Sequence, residues 1–171
     1  MTHWLAKDSQ ALEGACGKIL ETDDSNVVIK RMHRPRLERM RSKCLGARGQ
    51  CAMQQWASAL LTPANGFSVL FTPKAWLPAE PEKRSREYLM EKIDCLAELN
   101  PSTLCDSETT ELKLFYEKAQ STGIFPCDYE LYRQPDGRIA LIDFDKFSLF
   151  KDNTVIFPWG TRMSPIYPFS S

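Results

Sequence analysis

The pattern that most restricts what this chain can fold into runs from Glu130 to Lys146. Two apolar-rich runs, Glu130-Leu131-Tyr132 and Arg138-Ile139-Ala140-Leu141-Ile142, flank Pro135-Asp136-Gly137. Proline presets the turn, aspartate bonds its own backbone, and glycine accepts positive φ, so this spacing predicts an antiparallel hairpin. A lone hairpin is barely stable in water and needs further strands or a helix on its apolar face. The preceding segment offers a helix: Leu112, Phe115, Tyr116 and Ala119 recur at helical spacing and the pattern stops at Gly123. Pro101-Ser102 to Glu108 reads as the loop into its start.

The front half carries the complementary pieces. Residues 11–32 read as short extended segments, with Gly14 and Gly17 interrupting an apolar stretch, Asp23-Asp24-Ser25-Asn26 as a turn, and Val27-Val28-Ile29 as a β-branched run, which together predict a hairpin. From Arg36 to Leu61 the positions Leu37, Met40 and Cys44, then Ala52, Met53, Trp56 and Leu60, recur at the helical period, with Gly46 and Gly49 between them. Two helical segments or one kinked helix are expected, stopped by Thr62-Pro63-Ala64-Asn65-Gly66. Phe67 to Phe71 reads as a strand, Pro73 to Arg86 as an exposed connection, Tyr88-Leu89-Met90 as a short strand, and the proline-rich tail from Val155 as irregular. The order of elements predicts an α+β fold.

Composition narrows the function. Among 171 residues, 22 Lys and Arg balance 22 Asp and Glu, so no general field draws the chain to nucleic acid or anionic lipid. No window approaches the length of unbroken apolar sequence a membrane helix needs, and Met1 to Gln10, with Lys7 and Asp8, lacks the core of a secretory signal. The expected location is cytoplasmic or nuclear, with no nucleic-acid and no membrane partner. The six cysteines are scattered without a Cys-x-x-Cys pair, which favours reduced, buried thiols over disulfides. Only His3 and His33 are available to a zinc site or a Ser-His-Asp triad, so any chemistry must run on carboxylates, lysine and a divalent ion.

Two local features fit that chemistry. Leu141-Ile142-Asp143-Phe144-Asp145 ends an apolar strand on acidic side chains, which places a carboxylate where a cation could be held against a phosphate; its plainer reading is an acidic loop. Leu12 to Ile19 contains Gly14 and Gly17, and Val27-Val28-Ile29-Lys30 follows. Glycines let a backbone approach phosphate, and a lysine closing the next strand reaches it as a point charge. The plainer reading of Lys30 is a solvated lysine after an edge strand, beside Arg31, His33, Arg34 and Arg36. Trp56 and Trp76 read as packing residues.

The order of these features, from glycine loop and strand lysine to a Tyr-Leu-Met-Glu segment and then an acidic Asp-Phe, resembles the protein-kinase signature set over Leu12 to Thr161. The resemblance implies a minimal two-lobed protein-kinase-like fold. Residues 1–93 would form an N-lobe-like part with an antiparallel sheet, one helix and the hinge; residues 94–171 would form a reduced C-lobe-like part with a helix and β-hairpin. Gly14 and Gly17 match the loop's second and third glycines, with Leu12 at the first. Lys30 matches the phosphate-binding lysine, and Val28 would line the nucleotide. Met90 stands as gatekeeper, with the backbone of Glu91 and Ile93 offered to adenine. Asp143-Phe144-Asp145 matches the metal-binding motif, Asp145 replacing its glycine, and Trp159-Gly160-Thr161 resembles the substrate-side loop. The activity implied is ATP- and Mg²⁺-dependent phosphate transfer, with a protein substrate or partner; a pseudokinase acting as a binding module is the alternative.

The resemblance departs from the family at the catalytic loop. No His-Arg-Asp-x-x-x-x-Asn string occurs, and Phe125-Pro126-Cys127-Asp128-Tyr129-Glu130 stands in its place. Asp128 is the carboxylate placed to act as base in a shortened loop, and counting back from Asp143 puts Glu130, a second metal ligand, at the asparagine position and Phe125 at the base. For the helix glutamate that pairs with the lysine, Glu38 comes early, and Gln50, Gln54 or Gln55 lie nearer the expected place.

Overall fold

The computed structural model describes residues 7–13, 17–33, 46–80, 86–94, 97–151, 154–156 and 162–163. The fold is α+β: two sheets bridged by one helix, with a second helix on the far sheet. The first sheet is antiparallel and holds β1 (Lys7–Glu13), β2 (Gly17–Glu21), β3 (Val27–Met32), β6 (Glu87–Glu91) and β5 (Ala75–Trp76), in that spatial order. The second runs β11 (Arg162–Met163), β10 (Thr154–Ile156), β9 (Ile139–Lys151), β8 (Ile124–Arg133) and β7 (Ala97–Leu99). It is mixed, because β4 (Leu70–Phe71) pairs with β9 in parallel.

Strand β3 lies at the centre of the first sheet, and its β-branched run suits a strand buried on both faces. Val28 and Met32 face a cluster with Tyr88, Met90, Ala75, Ala47 and Cys51. Val27 and Ile29 face the other way, with Leu20, Leu89 and Trp76. The expected front hairpin is therefore a meander that β6 and β5 extend.

Helix α1 (Ala47–Leu60) buries Ala47, Gln50, Cys51, Gln54 and Ala57, a single face at helical spacing. Its first half packs on the first sheet, while Met53, Ala57 and the following Leu61 join the core of the second. The helix stops where expected: Pro63–Asn65 forms a 3₁₀ turn, Asn65 Nδ2 donates to the Leu60 carbonyl at 2.8 Å, and Gly66 takes φ 93°. The sequence-predicted segment before Gly46 lies outside the described residues.

Helix α2 (Asp106–Ser121) buries Leu112, Phe115, Tyr116 and Ala119, the predicted stripe, and the first three pack in one core with Phe67, Leu70, Leu131, Ile139, Leu141 and Phe144. The Glu108 carboxylate accepts from the Cys105 amide at 2.9 Å and caps the first turn. It also takes the Arg133 guanidinium through two bonds of 2.5 and 3.2 Å. Glu111 accepts from the amides of Ser68, Val69 and Leu70, which fixes the approach to β4. Burial of Glu111 opposes its ionisation, but these bonds win and hold its carboxyl below the ordinary value.

Several expectations are corrected. Pro73 to Arg86 is not all exposed loop: Ala75–Trp76 is strand β5, and Thr72, Pro73 and Pro78 are buried. The predicted strand at Phe67–Phe71 shortens to Leu70–Phe71, since Glu111 engages the amides before it. The tail contains β10 and β11, and β7 was not anticipated. Among the described residues, the one exposed large apolar side chain is Leu77, so no broad apolar face stands open there. No described helix is long and apolar enough to cross a membrane.

Candidate functional site

Lys30 sits in the middle of β3, opposite Ile19 of β2 and Tyr88 of β6, on the face shared by Val28 and Met32. It is 6% exposed. An ammonium taken this far out of water costs several kcal/mol unless it is matched by charge. The match comes from the other sheet: Lys30 Nζ donates to Asp143 Oδ1 in an ion pair. The two residues singled out at opposite ends of the sequence therefore meet, and Lys30 is neither solvated nor on an edge strand.

The chain delivers Asp143 by breaking the alternation of β9. Ile139 and Leu141 face the core shared with α2, whereas Ile142 packs beside Val28 and Met90 on the other side. Regular alternation would send Asp143 into the first core and Phe144 toward Lys30. Instead Asp143 takes φ 62°, the one positive φ of a non-glycine among the described residues. Phe144 then turns into the core, 1% exposed, with its ring 6.0 Å from that of Tyr129. The register records the same event: Asp128 pairs with Lys146 and Glu130 with Ile142, so one residue of β8 faces three of β9. A left-handed aspartate costs about 1–2 kcal/mol, and strain of this kind concentrates at functional positions.

Glu130 lies opposite Ile142, one step from Asp143, and its Oε2 accepts from the Tyr132 hydroxyl at 2.9 Å. Burial raises its carboxyl above the ordinary value; the Tyr132 bond opposes this, the charges of Asp143 and Glu98 add to it, and Lys30 works against it. Lys30, Asp143 and Glu130 thus share one electrostatic neighbourhood, in which two carboxylates face one ammonium. Hard carboxylate oxygens with an excess of negative charge suit Mg²⁺, which is usually bound by one or two carboxylates together with phosphate and water. Among the described residues, no group of three or more His, Cys, Asp and Glu gathers to hold an ion.

The remaining sequence-predicted residues fall as follows. Val28 and Met90 are buried cross-strand neighbours on the Lys30 face. Glu91 ends β6; its amide donates to the Lys74 carbonyl at 2.9 Å and its Oε2 accepts from the Lys74 amide at 3.0 Å. Ile93 follows, half-buried. Gly17 opens β2 opposite Met32, where an added Cβ would stand 2.7 Å from the Arg31 carbonyl oxygen, so close strand packing is what demands glycine there. Gly14 lies outside the described residues. Asp128 lies in β8 opposite Lys146, but its side chain is outside the described set.

Two of the α1 glutamines, Gln54 and Gln55, engage elsewhere. Gln54 Nε2 donates to the Pro73 carbonyl at 2.9 Å, its Oε1 accepts from the Tyr88 hydroxyl at 3.2 Å, and Gln55 Nε2 donates to the Ala75 carbonyl at 2.9 Å. They fasten the helix to the first sheet. Tyr132 and Glu98 were not read from the sequence. Tyr132 was accessible, since residues two apart in a strand share a face; Glu98 stands opposite Tyr132 on β7, a strand that no pattern announced. Of the cysteines, Cys51 is free and buried, its thiol pushed up to about 11 by desolvation, and Cys105 is free and exposed. Compared with protein-family models and with curated proteins, the chain matches none.

Proposed function

We propose that the chain is a kinase-like phosphotransferase of minimal two-lobed form, dependent on ATP and Mg²⁺ and acting on a protein hydroxyl. The observation that carries this reading is the meeting of Lys30 with Asp143, presented by a left-handed residue in a bulged strand. In the reading, Lys30 neutralises the α- and β-phosphates, and Asp143 and Glu130 hold Mg²⁺, which screens the charge on the transferring phosphate. Val28 and Met90 wall the base, the backbone of Glu91 and Ile93 meets its edge, and Gly14 and Gly17 cover the phosphates. Asp128 orients the acceptor hydroxyl. Catalysis of this type rests on positioning and charge neutralisation. The setting is cytoplasmic or nuclear, in keeping with the free thiols of Cys51 and Cys105.

A second reading, a pseudokinase that binds a protein partner, is favoured by the missing His-Arg-Asp string between Met90 and Asp143. Melting with and without Mg·ATP tests both against an unrelated fold. A ligand at 100 times its Kd adds about 2.7 kcal/mol, which raises Tm by roughly 5–11 °C for a chain of this size. No shift at millimolar Mg·ATP overturns the phosphotransferase and leaves only a pseudokinase that binds its partner without nucleotide. Phosphate transfer from labelled ATP by the wild type, lost in Asp128→Ala and Asp143→Ala, supports the enzyme; binding without transfer supports the pseudokinase.

A further inference from the structure

A glutamate reaches further than an asparagine and has one more rotatable bond, so a cation ligand at position 130 needs something to hold it. The Tyr132 hydroxyl meets that need, donating to Glu130 Oε2 at 2.9 Å. Both residues project from the same face of β8, and the backbone beneath them is fixed, because Glu130 pairs with Ile142 and Tyr132 with Ala140, which is fully buried. Tyr132 is also paired with Glu98 of β7, so its backbone is held by a strand on either side. With Oε2 engaged by the phenol, Oε1 is the oxygen left to act beside Asp143.

We propose that Tyr132 is a positioning residue for the cation site: its hydroxyl holds the Glu130 carboxylate so that one oxygen is presented beside Asp143. The proposal rests on the phosphotransferase reading, and it adds a role for a residue that carries no charge and was not among the predicted ligands. Partners of this outer kind, which orient a ligating carboxylate without touching the ion, are worth about 10- to 100-fold in metal affinity.

Mn²⁺ titration of the full chain in the presence of ADP, followed by loss of the free-ion electron paramagnetic resonance signal, tests it without reference to turnover. Tyr132→Phe is expected to weaken Mn²⁺ binding about 10-fold or more while leaving ADP affinity without metal unchanged. Glu130→Gln should weaken it at least as much. The double variant should match Glu130→Gln alone, because a phenol that acts only through Glu130 has nothing left to position. Tyr132→Phe binding Mn²⁺ as the wild type does, or losses that simply add in the double variant, overturns the positioning role alone. A wild type that takes up no Mn²⁺ overturns the phosphotransferase reading as well. Should Tyr132→Phe not fold, Glu130→Asp serves: it keeps the charge but withdraws the carboxylate from the phenol by one methylene, and undiminished Mn²⁺ affinity in it would equally overturn the proposal.

Discussion

Lys30 and Asp143 neutralise one another across two sheets, but they are not equally sheltered: the lysine side chain is 7% exposed and the aspartate 24%. Removing either charge deprives the other of its direct partner, and the ammonium is the more deeply buried of the two. Asp143→Asn is therefore expected to cost about 3 kcal/mol, and Lys30→Met less. Urea melts of the two variants and of the double variant give the coupling. The reverse order would mean that the carboxylate, not the ammonium, is the charge in need of its partner.

The backbone at Asp143 makes a separate prediction. At φ 62° alanine is strained where glycine is not, although both delete the carboxylate. Asp143→Gly should be more stable than Asp143→Ala by about 1 kcal/mol. Equal stabilities would indicate that the strand relaxes to ordinary alternation once the carboxylate is gone.

Glu108 ties the start of α2 to Arg133, and the Arg133 bonds hold its carboxyl down to about 2. A carboxyl depressed in the folded state stabilises above its unfolded value near 4.5 and ceases to do so as pH falls through about 2. Glu108→Gln should cost about 2 kcal/mol at neutral pH, and the gap from wild type should close between about pH 5 and pH 2. A gap independent of pH over that range would remove the ion pair as its cause.

Glu130 has the opposite sign. Burial raises its carboxyl, so the folded state is penalised when that group is ionised, and the penalty is relieved as pH falls through the raised value. Glu130→Gln is expected to melt higher than wild type at pH 7 even as it loses cation binding, with the advantage shrinking in acid. Lower thermal stability at pH 7 would show that the carboxylate is structural there, rather than retained at the expense of stability.

At Gly17 the Arg31 carbonyl leaves no room for a methyl group. Gly17→Ala should lower Tm by pushing β2 off β3, whether or not nucleotide is present. A variant with unchanged melting but weakened ATP binding would place the need for glycine in the phosphate loop rather than in the packing of β2 on β3.

The hairpin around Pro135-Asp136-Gly137 and the stripe of α2 were legible because each is set by local chemistry: Gly137 takes φ 86°, and the stripe's four residues are at most 6% exposed. Strand β5 was not legible, since two residues amid prolines carry no period, and what makes Ala75–Trp76 a strand is the free edge of β6. Lys30 was legible as a candidate but not as a buried residue, because a lysine closing a β-branched run reads the same on an edge as at a centre. The turn at Asp143 was the least legible. Nothing in Ile142-Asp143-Phe144 announces that alternation reverses there; it follows from Phe144 finding its place beside Tyr129 and Phe115.

Helix α1 gives its first turns to one hydrophobic cluster and its last to another. A chain with two sheets has two places where it could begin to come apart, yet neither can loosen without stripping apolar surface from the same rod. Calorimetry on the whole chain should accordingly trace one heat-absorption peak rather than two, with amides in β3 and β9 exchanging through a common opening.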